Sequence, residues 1–242
     1  MRTALVTGGS GGIGKECGRR LCELGYDVVL VARREAPLRT AAVEIGARHI
    51  AADASDGDGF ASAIAVLNSI DLVVHAAGTL GGTYARKQTF AQWRDIMSAN
   101  LDSCFVVTAA VLPRMRAGSR LVFVSSSAAH EPMPGRTAYS ASKAGVNAFA
   151  RALALEVDRD GISVHLVTPG PVETEMLQDV PFEMYAIQAS DVAATVAWLD
   201  TVDPSVDLPE IRLGAVRRGP FARPPIVPTE ARRRAAAADP SP

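Results

Sequence analysis

Short apolar runs alternate with stretches whose apolar residues recur at helical spacing, starting at the first residues of the chain. Thr3–Thr7 is a buried-strand pattern. Gly12–Leu24 follows as a helix with Ile13, Cys17, Leu21 and Leu24 along one face, and Gly25 stops it. The same alternation predicts strands at Asp27–Ala32, Arg48–Ala52, Leu72–His75, Arg120–Ser125, Ile162–Thr168 and Glu210–Val216. It predicts helices at Pro37–Ile45, Asp56–Ile70 (capped by Ser55), Thr89–Met115, Thr137–Val157 and Asp191–Leu199. The strands are near-continuous apolar runs, as expected when both sheet faces are buried. With right-handed crossovers, the expected fold class is α/β: a Rossmann-type doubly wound parallel sheet with helices on both faces. From Gly219 the chain turns to Pro, Arg and Ala without apolar periodicity. A single domain over residues 1–218 and a disordered tail over 219–242 are therefore expected.

Composition narrows the class. The 242 residues are 48% hydrophobic and 21% charged, which excludes a disordered or collagen-like chain. A net charge of −1 gives no global case for nucleic acid or an anionic membrane. The charge is uneven: residues 211–242 carry net +5 and residues 1–210 net −6. A solvated basic tail is the expected reading. Three cysteines, Cys17, Cys22 and Cys104, are too few for a disulfide framework and point to a reducing compartment. Without a CxxC or a Cys/His cluster, no metal site is expected. The N-terminus lacks signal-peptide features and no apolar run is read as membrane-spanning, so a cytoplasmic location without a membrane partner is expected.

The first strand runs into Thr7-Gly8-Gly9-Ser10-Gly11-Gly12-Ile13-Gly14. Glycines there permit a tight turn and bring backbone N–H groups up to a pyrophosphate at the helix N-terminus. A glycine turn without a ligand would look alike in isolation. Its place between strand one and helix one favours dinucleotide binding.

The spacing T-G-x-x-x-G-I-G resembles the short-chain dehydrogenase/reductase family, in its shorter branch. Further motifs follow in the family's order over roughly residues 1–200: His75-Ala76-Ala77-Gly78 for N-A-A-G, Asn100 in the long helix, and Ser126 thirteen residues before Tyr139. Tyr139-Ser140-Ala141-Ser142-Lys143 is the YxxxK motif, and Pro169-Gly170-Pro171-Val172-Glu173-Thr174 resembles P-G-x-x-x-T. The resemblance implies catalytic roles for Asn100, Ser126, Tyr139 and Lys143. It implies cofactor contacts from Gly8, Ser10, Gly11, Gly12, Ile13, Gly14, Ala76, Ala77, Gly78, Pro169, Gly170, Val172 and Thr174, with Tyr139 and Lys143 on the nicotinamide side. Asn100 would hold a water in a proton relay.

The chemistry agrees. A free phenol ionises near pH 10, about three units too high for a good base at neutral pH, and a nearby ammonium favours the phenolate. Tyr139 and Lys143 lie four apart and share a helix face. Such a pair suits proton transfer at a carbonyl or alcohol oxygen, with Ser126 holding that oxygen and a nicotinamide supplying hydride. Each residue alone has a plainer reading: surface decoration for the pair, a turn cap for Ser126, an exposed helix residue for Asn100. Their joint spacing favours catalysis.

Cofactor choice turns on the end of strand two. The family's NAD-users carry Asp where this chain has Ala32, and Arg33 and Arg34 follow. Arginine suits a 2′-phosphate, so NADP is expected ahead of NAD. Gly11 occupies a position where many NADP-users carry a cation. Asp53, with Ala54 after it, matches the adenine contact or caps a turn. His75 replaces the usual Asn and is expected to make a structural hydrogen bond beside the cofactor. His130 is a polar loop residue that could border the substrate. Met176, Leu177, Val180, Phe182, Met184 and Tyr185 could line an apolar pocket or pack on the body. The expected activity is reduction of a small hydrophobic ketone or 3-oxoacyl thioester, or oxidation of the matching alcohol. An NAD-dependent alcohol dehydrogenase and a non-catalytic dinucleotide-binding regulator are the competing readings. The long helices could form a homodimer, or a homotetramer as in the family; the tetramer contact is in doubt for want of the usual closing glycines.

Overall fold

A computed structural model of the chain describes residues 1–177, 183–203 and 205–226. In chain order its elements are β1 Thr3–Thr7, α1 Gly12–Glu23, β2 Asp27–Ala32, α2 Glu35–Ile45, β3 Arg48–Ala51, α3 Gly57–Ala63 and β4 Leu72–His75. There follow α4 Phe90–Met97, α5 Ser103–Val111, β5 Arg120–Val124, α6 Thr137–Val157, β6 Ser163–Pro169, β7 Val172–Glu173, β8 Ile187–Gln188, α7 Ala189–Leu199 and β9 Glu210–Leu213. Seven strands form one parallel sheet in the order β3-β2-β1-β4-β5-β6-β9. The order reverses between β1 and β4, which opens a crevice at the carboxyl ends of the strands.

Successive strand residues point to opposite faces, and each face meets its own layer of helices. Ala4, Val6, Val28, Leu30 and Val74 pack with Cys17 and Leu21 of α1, Leu38 of α2 and Val192 and Val196 of α7. Leu5, Val29, Val73, Leu121 and Phe123 pack with Phe60 of α3, Val107 and Val111 of α5 and Val146 and Leu153 of α6. The expected doubly wound sheet is thus observed.

Several local expectations change. Ser55 does not cap the third helix: Asp56 does, accepting from the Gly59 N–H, and α3 gives way after Ala63 to a tighter turn over Ile64–Val66. Leu24 falls past the end of α1 and is exposed. The helix expected over 89–115 starts with a Thr89/Gln92 capping box and passes through a wide π turn at Ser98–Asp102. By length and composition alone the helical stretch Phe90–Arg114 would suffice to cross a membrane. Its Cys104, Val107 and Val111 are instead committed to the core beneath the sheet. The expected tail begins with defined contacts. Ile226 pairs antiparallel with Met184, and Arg223 makes two hydrogen bonds to Asp191, at 2.7 and 3.3 Å. Residues 227–242 lie outside the described residues.

Candidate active site

The turn after β1 is shaped by backbone contact. Gly8 has φ +70°, and a Cβ there would sit 2.7 Å from the Ala76 carbonyl oxygen. Any larger residue would push β1 and the loop after β4 apart. Thr7 reinforces the same junction: its hydroxyl accepts from the N–H groups of Ala76 and Ala77, both at 3.2 Å. The first turn of α1 has neither a side-chain cap nor an acidic residue, so its N–H groups remain available to an anion.

A cavity of about 310 Å³ opens over this turn and runs along the strand ends. It is lined by Gly8, Ser10, Gly11, Gly12, Ile13 and Gly14 from the glycine loop, by Arg34, by Ala76 and Gly78, and by Pro169, Gly170, Val172 and Thr174. Ser126 and Tyr139 line the same cavity. Among the expected cofactor residues, Arg33, Asp53, Ala54, His75, Ala77 and Lys143 do not line it, nor does Asn100 of the expected catalytic set. Asp53 accepts from the Ser55 N–H at 2.9 Å and the Ser55 hydroxyl at 2.7 Å, so the turn-capping alternative is realised.

His75 departs furthest from expectation. It is buried, its ring stacks on Phe123 with centroids 4.1 Å apart, and Nε2 has no partner among the described residues. Burial pushes its ionisation down to about 3, so the ring is neutral. The tie between β1 and the loop after β4 is made by Thr7, which frees position 75 to become part of the core.

Tyr139 and Lys143 are both buried on the cavity side of α6. Lys143 Nζ donates to the Val124 carbonyl at 3.0 Å and lies 6.0 Å from the Tyr139 ring centroid. Ser126 lies two residues past β5; its hydroxyl accepts from Ala128 N–H at 3.2 Å and so caps a turn while lining the cavity.

Asn100 is fully buried in the π turn, which swings its side chain toward the loop after β4. Oδ1 accepts from Thr79 N–H at 2.7 Å, and Nδ2 donates to the Thr79 carbonyl at 3.0 Å and to the Ser142 hydroxyl at 2.9 Å. Both amide hydrogens are used. The exposed-helix alternative is excluded, and what the side chain displays is a strut between the cavity wall and α6.

Sequence reasoning missed several neighbours. Leu80, Met133 and Arg136 line the cavity as well. Met176, Leu177 and Met184 line it as expected, Tyr185 lines a second cavity, and Val180 and Phe182 lie outside the described residues. His130 does not border the main cavity. It donates to Glu210 on β9 at 2.6 Å and meets Asn147 at 3.1 Å, and Asn147 in turn accepts from the Ser125 hydroxyl. Burial pushes the Glu210 carboxyl up, but the hydrogen bonds from His130 and Arg212 outweigh it and hold the group at about 2. Burial pushes the Cys17 and Cys104 thiols up to about 12 and 11, so neither is an activated nucleophile.

The residues present suit a phosphorylated dinucleotide. The glycine cradle would meet a pyrophosphate; among the described residues Arg33 and Arg34 form no close ion pair, although the charge of Arg33 helps to lower the Asp53 carboxyl. A side chain at Gly11 would point into open space, so nothing but its absence keeps a cation from that position.

Residues 2–184 match the family model for short chain dehydrogenases. The chain is 32% identical to an acetoacetyl-CoA reductase of Cupriavidus necator over 224 residues, 83% of this chain and 91% of that one. It is 32% identical to another acetoacetyl-CoA reductase, from an Acinetobacter species, over 82% of this chain and 90% of that one. Among solved structures it resembles a variant of actinorhodin polyketide ketoreductase with NADPH at TM-score 0.81 and 30% identity, covering 87% of this chain and 95% of that one. A short chain dehydrogenase of Burkholderia cenocepacia in complex with NADP gives TM-score 0.80 and 26% identity, covering 88% and 96%. On a match that spans most of its length, the chain belongs to the short chain dehydrogenase family and is an NAD(P)-dependent oxidoreductase.

Proposed function

We propose that the protein is an NADP-preferring carbonyl reductase acting on a ketone or 3-oxoacyl group, with Tyr139 as general acid. The observation that carries this is the opening of Ser126, Tyr139 and the α1 glycine loop onto one cavity, with Lys143 one helical turn behind the phenol. When bound, the nicotinamide supplies hydride to the carbonyl carbon. Ser126 holds the carbonyl oxygen, Tyr139 gives it a proton, and Lys143 stabilises the phenolate left behind. Asn100 keeps the Thr79 loop and α6 at a fixed separation. The arginine pair after β2, a missing carboxylate at Ala32, and structural neighbours named with NADP or NADPH support the cofactor choice. Relatives named as acetoacetyl-CoA reductases support a 3-oxoacyl substrate.

The free cysteines fit a reducing, cytoplasmic setting. Exposed Phe105 on α5 and Leu155 on α6 fit a homo-oligomer built on those helices. The deciding experiment is NADPH and NADH oxidation with acetoacetyl-CoA and a panel of simple ketones. Turnover favouring NADPH supports the reading; cofactor binding without turnover on any of them would sink it.

A further inference from the structure

We infer that Arg136 selects substrates bearing a carboxylate close to the reacting carbonyl; this rests on the carbonyl-reductase reading above and narrows its substrate class. Arg136 immediately precedes α6 and lies three residues before Tyr139, about 4.5 Å along a helix axis. Both residues line the main cavity. Among the described residues its one side-chain hydrogen bond runs from Nη1 to the Gly81 carbonyl at 3.5 Å, the long limit for such a bond. Some arginines end on carboxylates, as Arg48 does on Asp27 at 2.9 Å and Arg223 on Asp191 at 2.7 Å, and others on backbone carbonyls, as Arg120 does on Val202 at 2.7 Å. Arg136 has no such partner within ion-pair distance among the described residues.

Two arginines line the cavity, and they come from different segments of the chain. Arg34 follows β2, on the side of the glycine loop that would face the ribose phosphate. Arg136 comes from the segment that leads into Tyr139, and the apolar Leu80, Met133 and Met176 line the same cavity. A half-buried guanidinium against an apolar wall takes a planar carboxylate in a two-pronged pair, and loses little water to do so. The phosphates of a coenzyme A thioester lie a whole pantetheine arm from the acyl carbonyl, too far for a residue placed beside the proton donor. A short oxo acid puts its charge at the right range. The one carboxylate lining the cavity, Glu175, is exposed and forms no ion pair with Arg136. It is the alternative partner that the test must separate.

The test compares acetoacetate with methyl acetoacetate, which differ in charge and little else. In the wild type, kcat/KM with NADPH should favour the acid by about tenfold or more, because a site built to pair a charge rejects the uncharged analogue. Arg136→Gln keeps hydrogen-bond donors and removes the charge, and should depress the acid about ten times more than the ester; Arg136→Lys should restore part of the preference. Equal treatment of acid and ester by the wild type, equal losses in Arg136→Gln, or the same loss of acid preference in Glu175→Gln would each overturn the inference. A second readout is direct binding of acetoacetate to the enzyme–NADP⁺ complex by calorimetry. Binding by the wild type and not by Arg136→Gln supports the inference even if neither compound is reduced, in which case the reductase reading alone fails. Binding that is absent, or unchanged in Arg136→Gln, overturns it.

Discussion

Asn100 grips Thr79 by both of its backbone groups, accepting from the N–H at 2.7 Å and donating to the carbonyl at 3.0 Å. Its third bond, to the Ser142 hydroxyl, reaches the helix that bears Tyr139 and Lys143. Asn100→Ala should leave these buried groups without partners, at a cost of about 1–3 kcal/mol for each stranded group. Urea unfolding should show that loss, and kcat should fall about tenfold or more as the wall and α6 lose their spacing. Asn100→Asp should do no better, since a carboxylate cannot donate to the Thr79 carbonyl. Full activity in either variant would remove Asn100 from the machinery.

Tyr139→Phe keeps the ring and deletes the proton donor. Turnover should drop about a hundredfold or more, while the NADPH dissociation constant measured by fluorescence stays within about twofold. Turnover close to wild type would mean that another group protonates the substrate.

Replacing Arg33 and Arg34 with Ala should weaken NADPH far more than NADH, because only the former carries the 2′-phosphate. Arg34 lines the cavity and Arg33 does not, so Arg34→Ala should account for most of the loss. Comparable losses for both cofactors in a binding titration would place selectivity elsewhere.

The stacked His75 ring makes a prediction about pH. Its folded form releases its proton near 3, against about 6.5 for an unfolded chain. Between those values the unfolded state holds the extra proton. Stability contributed by the neutral ring is therefore complete above about pH 6.5 and declines as pH falls toward 3, by at most about 1.4 kcal/mol per pH unit. His165, shifted down chiefly by burial, adds to the same trend. His75→Asn should flatten the stability profile between about pH 6.5 and 4.5 in urea titrations. An unaltered slope would show that the imidazole is not held neutral.

The doubly wound parallel sheet was legible because strands buried on both faces are written as unbroken apolar runs, and the glycine loop marks where the first of them ends. The Ser126, Tyr139 and Lys143 positions followed from spacing. The π turn at Ser98–Asp102 was hidden, since one extra backbone residue in a helix leaves hydrophobic periodicity almost intact over so short a span. Position 75 misled because its tie is made by Thr7, a partner 68 residues away in the chain that no local pattern reveals. Arg136 escaped notice because a charge just before a helix usually faces water, and only the fold turns this one toward a cavity. Val180 and Phe182 lie outside the described residues, so their expected pocket role stands as a sequence reading.

The backbone pairing of Ile226 with Met184, at 2.9 and 3.3 Å, bears on where the enzyme ends. Met184 is part of the substrate wall, and its hydrogen-bonded partner comes from beyond the final strand of the sheet. The architectural boundary after β9 and the functional boundary therefore do not coincide: the polypeptide doubles back past its own last ladder rung to buttress the chamber where chemistry would occur.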